Sequence, residues 1–133
     1  MSEEFKIEIV NPEKSFLSKS DVTEVVVPSL EGEMGILKDH ISIISFLKPG
    51  IIKVVTKSNE EKYYVEDGIL EFKNNNLSIL TSVIFKIDEI NKQKIENLIK
   101  EAKDLLNENK EINDQQKYLI DQKIDVLNSL SIN

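Results

Sequence analysis

The residues that turn a chain are confined to one part of this sequence. All four glycines (Gly32, Gly35, Gly50, Gly68) and all three prolines (Pro12, Pro28, Pro49) lie before residue 69. Seven of the eight aromatic residues lie before residue 86, Tyr118 being the exception. Turns and β-favouring aromatics share one part of the chain, and the other part lacks both. That division predicts a change of architecture near Lys86, with a β-sandwich domain over residues 1–86 and a helical hairpin over residues 87–133.

The first part reads as many short strands. "FKIEIV" alternates Phe5, Ile7 and Ile9 with Lys6 and Glu8, the period of a half-buried strand. "VTEVVV", "ISIISFL", "IIKVVT", "EKYYV", "ILEF" and "LSILTSVIF" follow. Between the runs fall Asn11-Pro12, Pro28-Ser29, Pro49-Gly50, Ser58-Asn59, Asp67-Gly68 and Asn74-Asn75-Asn76, all good turn chemistry. Strands at this density, with no helical pattern among them, predict an all-β sandwich or barrel.

Beyond Lys86 the apolar period lengthens. Ile90, Lys94/Ile95, Leu98, Ala102 and Leu105/Leu106 recur at three- and four-residue steps, as do Ile112, Gln116, Leu119/Ile120, Ile124, Leu127 and Leu130. Asp88 is placed to cap the first helix, and Asn113 with Gln116 has the form of a capping box for the second. The polar "NENKEIN" between them is short enough to turn an antiparallel hairpin. The expected class is α+β: an N-terminal all-β sandwich followed by a C-terminal antiparallel two-helix hairpin. Each stripe residue is worth at most ~1.5–3 kcal/mol when fully buried. Ordering the backbone costs about 1–2 kcal/mol per residue. A bare helix pair is therefore marginal, and it must lean on the sandwich, on a partner, or on each at different times.

Composition removes several functions. There is no cysteine, which excludes disulfides, thiolate metal sites and cysteine nucleophiles. Apolar runs are far shorter than a membrane span and "MSEEFKIEIV" is no signal peptide, so a soluble cytosolic or organellar-matrix protein is expected. A net charge of −7 argues against nucleic acid and against anionic lipid as partners. All seventeen basic residues are lysine, so the planar guanidinium fork that grips phosphate bidentately is absent from the sequence.

Few residues could carry chemistry. His40 is the single histidine. A metal site there would need carboxylates alone beside it, and no nucleophile motif such as G-x-S-x-G offers a triad. A structural or contact role is the favoured reading. "EGEMG" lacks the spacing of a phosphate loop, and Glu31 and Glu33 would repel phosphate. It reads as a hairpin with glycines at positive φ, or as an acidic contact for a basic partner. Nothing predicts a sugar cleft for paired carboxylates. No catalytic constellation emerges, no metal or nucleotide site is expected, and the cofactor expectation is none.

One longer stretch resembles a known family. "SLEGEMGILKDHISIISFLKPG" is similar to the pattern G-x-x-G-E-L-G-I-x-P-G-H-A-P-L-L-x-x-L-K-P-G of the ε subunit of bacterial and chloroplast F-type ATP synthases, called δ in mitochondria. Gly32, Glu33, Gly35, Ile36, His40, Lys48, Pro49 and Gly50 match in register. "YVEDGILEFKNNNLSILTS" looks like a second family stretch, G-G-x-L-E-V-x-x-N-x-V-T-V-L. The family's sandwich and hairpin are of this size, so the resemblance spans the whole chain.

The resemblance implies a non-catalytic central-stalk subunit of a rotary, proton- or sodium-driven ATP synthase. Its implied partners are the γ subunit, the c-subunit ring and, when the hairpin extends, the α/β catalytic head. It implies a peripheral place on the cytoplasmic face of a bacterial inner or plasma membrane, or the organellar equivalent, with membrane contact only through partner subunits. Glu33, with Glu31 and His40 beside it in sequence, matches the position that meets the polar loops of the ring, where a carboxylate can bond arginine. Asp88, Lys92, Lys94, Lys100 and Lys103 are the implied regulatory residues of the hairpin, through which relatives restrain ATP hydrolysis.

Two departures qualify the match. "IDEINK" places Asn91 where nucleotide-binding relatives carry an arginine, which predicts no ATP binding on the hairpin. Lys38-Asp39 and Ser42 replace the family's Pro-Gly and proline around His40. The rival reading from another class is a free-standing adaptor that binds some other protein.

Overall fold

A computed structural model of the chain describes residues 3–13, 15–108 and 111–131. Among the described residues nine strands come first: β1 (Phe5–Val10), β2 (Ser15–Ser29), β3 (Gly32–Ile36), β4 (Ile43–Leu47), β5 (Gly50–Thr56), β6 (Glu60–Val65), β7 (Gly68–Lys73), β8 (Asn76–Leu80) and β9 (Ile84–Lys86). A 3-10 turn (Ile87–Glu89) leads into α1 (Lys92–Glu108) and α2 (Asp114–Ser131). The fold is a β-sandwich followed by two C-terminal helices.

The hydrogen-bonded path runs β1-β8-β7-β4-β2-β5-β6-β9, with β3 on β2 and a further β1–β2 pairing. β1 and β8 are parallel. The 15-residue β2 ties the layers together. It pairs with β1 from Ser15 to Val22, and with β3 and β5 over its later residues.

Alternation decides which side chains meet inside. Phe5, Ile7 and Ile9 of β1 point inward, as do Ile52 and Val54 of β5, Leu70 and Phe72 of β7, and Leu77 and Ile79 of β8. Strand β6 departs from the period: Tyr63, Tyr64 and Val65 are all buried. Successive strand residues face opposite sides, so both faces of β6 are covered there. Tyr63 and Val65 belong to the sandwich core, whereas Tyr64 joins a second cluster with Ile95 and Leu127 of the helices.

Several expectations needed revision. The "EGEMG" hairpin forms, with Gly32–Ile36 as strand β3 antiparallel to β2, but of its two glycines only Gly32 has a positive φ and Gly35 lies within the strand. "LSILTSVIF" is two strands, interrupted where the Thr81 hydroxyl bonds the carbonyls of Asp67 at 2.6 Å and Val83 at 3.2 Å. Asp88 does not cap α1. It lies in the 3-10 turn, and the Asn91 side-chain oxygen accepts the Lys94 amide at 2.8 Å instead. A β-turn's worth of chain after Lys86 delays the helix, and Asn is as good a cap as Asp. The Asn113–Gln116 capping box forms in both directions, at 2.8 and 3.1 Å. Of the connecting "NENKEIN", Asn109 and Lys110 lie outside the described residues.

Candidate functional site

The acidic turn is built by β2 and β3. Ser29 pairs with Gly32, whose φ of +131° suits glycine, and Leu30 and Glu31 form the connection. The Ser29 hydroxyl is positioned by Ser45 at 3.0 Å and accepts the Glu31 amide at 3.3 Å. Glu31, in the connection, and Glu33, in the first residues of β3, are both exposed to solvent.

His40 is not beside them. It lies beyond the opposite end of β3, and a five-residue strand spans about 17 Å. There the loop is held to the β7–β8 turn: the Asp39 amide donates to the Asn75 side-chain oxygen at 2.7 Å, and the Asn75 amide group donates to the Asp39 carboxylate at 3.0 Å. Asp39, Asn74 and Asn75 all adopt positive φ, a conformation that Asn and Asp tolerate. The half-buried His40 ring meets Phe72 edge-on at 5.8 Å, and its Nδ1 lies 2.7 Å from the Ile41 carbonyl. Its observed contacts are with its own loop and the strand beneath.

A second surface lies at the Glu31 end, and no reading of the sequence singled it out. Phe46 pairs with Ile69, and Ile69 with Leu80, while the Leu30 amide donates to the Phe46 carbonyl at 2.9 Å. These four side chains are 46% (Leu30), 55% (Phe46), 45% (Ile69) and 52% (Leu80) exposed. They form an apolar row across three strands and line an open groove of about 490 Å³, with Gln115 and Leu119 of α2 among its walls. The signal was present in "ISIISFL", where apolar residues occupy both parities. A strand apolar on both faces needs a second cover.

Helix α2 borders both surfaces. Its last turn, Ser129 and Leu130, walls a cleft of about 460 Å³ with Glu33, Lys53 and Lys62. Lys53 and Lys62 are directly opposed on β5 and β6, and Lys62 lies 3.9 Å from Glu60. Between groove and cleft the hairpin is docked on the outer face of the sandwich. Tyr64 stacks with Phe85 at 6.3 Å, and both pack in the cluster of Ile95 and Leu127. Lys94 lies over the Phe85 ring at 5.1 Å.

Two carboxylates brace the neighbouring tyrosines. The Tyr64 hydroxyl donates to Glu66 at 2.9 Å, and Lys123 of α2 lies 3.5 Å from the other oxygen of Glu66. Burial, reinforced by the Glu66 charge and hydrogen bond, holds the Tyr64 phenol well above its ordinary titration range. The Tyr63 hydroxyl donates to Glu61, which Lys19 also meets at 3.0 Å. The Tyr63 hydrogen bond keeps Glu61 below the usual carboxylate range; burial opposes this and Lys19 assists it. Burial first, then Glu61, pushes the Tyr63 phenol up.

The other residues singled out in the hairpin, Asp88, Lys92, Lys100 and Lys103, are exposed. Lys123, which meets the sandwich, was not among the residues singled out. Nothing in its sequence context marks it, since only the crossing of α2 over β6 brings it to Glu66.

The sequence has clear relatives. Residues 4–87 match the family described as the ATP synthase delta/epsilon chain, β-sandwich domain. The chain is 72% identical over 131 residues to the ATP synthase epsilon chain of Pelagibacter ubique, covering 98% of this chain and 100% of that one. It is 33% identical over 112 residues to the mitochondrial ATP synthase subunit delta of Schizosaccharomyces pombe, covering 83% of this chain and 67% of that one. Among solved structures, a chain of the Euglena gracilis mitochondrial ATP synthase assembly of OSCP, F1 and c-ring superposes with a TM-score of 0.78 at 20% identity, covering 97% of this chain and 81% of that one. A chain of the Tetrahymena thermophila mitochondrial ATP synthase central stalk and c-ring gives 0.68 at 14% identity, covering 95% of each. At those identities the likeness is one of fold.

Proposed function

This chain belongs to the delta/epsilon chain family of ATP synthase, and on that premise we propose that it joins the rotor of the enzyme, linking the c-ring and γ to the catalytic head. It is a non-catalytic subunit; ATP is made elsewhere in the complex. The observation that carries the rotor reading is the exposed row of Leu30, Phe46, Ile69 and Leu80 lying next to the acidic turn of Glu31 and Glu33. One end of the sandwich thus offers two adjacent surfaces of different chemistry.

The apolar row is assigned to γ. Apolar side chains of this size on three neighbouring strands favour a persistent partner over water. The acidic turn is assigned to the c-ring, where Glu31 and Glu33 bond cationic groups on the ring's polar loops. His40 lies beyond the far end of β3, so it does not share a contact with Glu31 and Glu33. Among the described residues no helix is long and apolar enough to cross a membrane. The family membership supports membrane contact through partner subunits, on the cytoplasmic face or its organellar equivalent.

The sandwich of residues 1–86 is the rotor-binding domain, and the hairpin of residues 87–133 is a brake on hydrolysis. Docked, the hairpin covers Tyr64 and Phe85 with a small apolar seam. Extended, it carries Lys92, Lys94, Lys100 and Lys103 toward the catalytic head. The test is ATP hydrolysis by a catalytic head with γ, depleted of this chain, to which the full chain or residues 1–86 are restored while binding is followed. Both bind and only the full chain slows hydrolysis if the brake works. Binding by both with no slowing removes the brake and keeps the rotor role. If neither binds, the rotor assignment fails.

A further inference from the structure

We propose that the Glu66–Lys123 ion pair, buttressed by the Tyr64 hydroxyl, is the latch that sets how often the hairpin leaves the sandwich. Its regulatory meaning rests on the reading that the hairpin is a brake with a second docking place.

The geometry is that of a joint. Glu66 follows the last residue of β6, and α2 crosses it so that Lys123 Nζ lies 3.5 Å from Glu66 Oε1. The Tyr64 hydroxyl donates to Glu66 Oε2 at 2.9 Å, so both carboxylate oxygens are engaged. The two charged side chains are 21% and 19% exposed, which screens them less than a surface pair. Tyr64 belongs to both halves of the interface. Its ring is part of the apolar seam with Ile95 and Leu127, and its hydroxyl is part of the polar joint.

The division of labour follows from the physics. Burial of Tyr64, Ile95 and Leu127 is non-directional and would tolerate sliding of α2 along the sheet. The ion pair is directional and fixes where the helix stops. On undocking, Lys123 gains water, and Glu66 gains water while keeping Tyr64, so the pair contributes only modestly to docking. A modest contribution suits a switch, because it shifts a population several-fold without making the docked state irreversible.

The absence of cysteine from the sequence makes the test clean. A reporter thiol is placed at Leu127, fully buried in the seam, and a control thiol at Leu70, fully buried in the sandwich core. Each is labelled by a thiol reagent in the free full chain, alone and combined with Lys123→Met, Glu66→Gln or both. Lys123→Met keeps the apolar stem and removes the charge. Glu66→Gln keeps an acceptor for Tyr64. Each single substitution is expected to speed labelling at position 127 about fivefold, the double substitution no further, and labelling at position 70 to stay unchanged. Unchanged labelling at 127, additive effects of the two substitutions, or equal acceleration at both positions would each overturn the latch. Labelling reads the free chain, so a failed latch leaves the hydrolysis assay untouched, and a chain that binds no catalytic head can still show the latch.

Discussion

Phe46 on β4 stands directly opposite Ile69 on β7, and both side chains turn away from the core into solvent. An aromatic residue about half exposed in the middle of an apolar row is the natural anchor of a protein interface. Replacing Phe46 with Glu is therefore expected to weaken binding to γ by at least about tenfold while moving the melting temperature by no more than about 2–4 °C. Titration against purified γ, with a thermal melt of the same sample, decides. A large drop in melting temperature with binding intact would make Phe46 a packing residue instead.

Two glycines are fixed by close approach. A Cβ on Gly50 would lie 2.5 Å from Pro28 Cβ, and one on Gly68 would lie 2.7 Å from the Leu80 carbonyl oxygen at a φ of +151°. Gly50→Ala presses on a buried proline and is expected to cost about 1–3 kcal/mol. Gly68→Ala meets backbone that cannot rotate away and adds φ strain, so its loss is expected to be the larger. Chemical denaturation of both variants tests the order.

Much of this fold was legible in residue spacing, and its failures have common causes. The period of "FKIEIV" and the capping box at Asn113 and Gln116 are local, and local patterns survive into the structure. Strand β3 was missed because "EGEMG" has two glycines and two acids, poor strand formers that tertiary pairing with β2 overrides. The acidic turn could be read from the family pattern. The apolar row could not, because Leu30, Phe46, Ile69 and Leu80 meet only through strand order, and Lys123 reaches Glu66 only through helix docking. Nearness in sequence also misled: Glu33 and His40 are seven residues apart, yet Glu33 lies near the start of β3 and His40 beyond its far end.

Stability should fall at alkaline pH. The Tyr64 phenol titrates above its ordinary value of 10.0 in the folded chain, chiefly through burial. The unfolded chain therefore loses this proton first, and the stabilisation, complete below pH 10.0, is lost as pH rises above it. Since Tyr64 lies under the hairpin, labelling of a thiol at Leu127 is expected to accelerate as pH is raised through that range, after correction for reagent chemistry. Tyr64→Phe should flatten the Tyr64 component of that rise. Glu61 has the opposite sign: its lowered value gives stability above the ordinary carboxylate value of 4.5 that is lost at more acid pH, and Glu61→Gln should flatten that slope.

ATP at millimolar concentration is expected to leave the melting temperature unchanged. The side chain of Asn91, which stands where nucleotide-binding relatives carry an arginine, is committed to capping α1 through Lys94. The chain also has no arginine to fork a phosphate. Differential scanning fluorimetry with and without nucleotide tests this, and a saturable rise would refute it.

The sandwich is expected to fold without the hairpin, and the hairpin not to fold without the sandwich. Every residue of the main core, from Phe5 to Ile84, lies within the strands, whereas the second cluster needs Tyr64 and Phe85 beneath Ile95 and Leu127. Residues 1–86 should give a β-type circular dichroism spectrum and a cooperative melt within about 10 °C of the full chain, since removing the hairpin uncovers one face of β5, β6 and β9 and leaves the main core intact. Residues 87–133 carry good caps, yet Leu105 and Tyr118 remain about half exposed even in the docked hairpin. A helix pair with so little to bury should be mostly unfolded in isolation. A helical, cooperatively melting 87–133 would mean the hairpin stabilises itself, and then the docked state would no longer need the seam at Tyr64 to keep its helices formed.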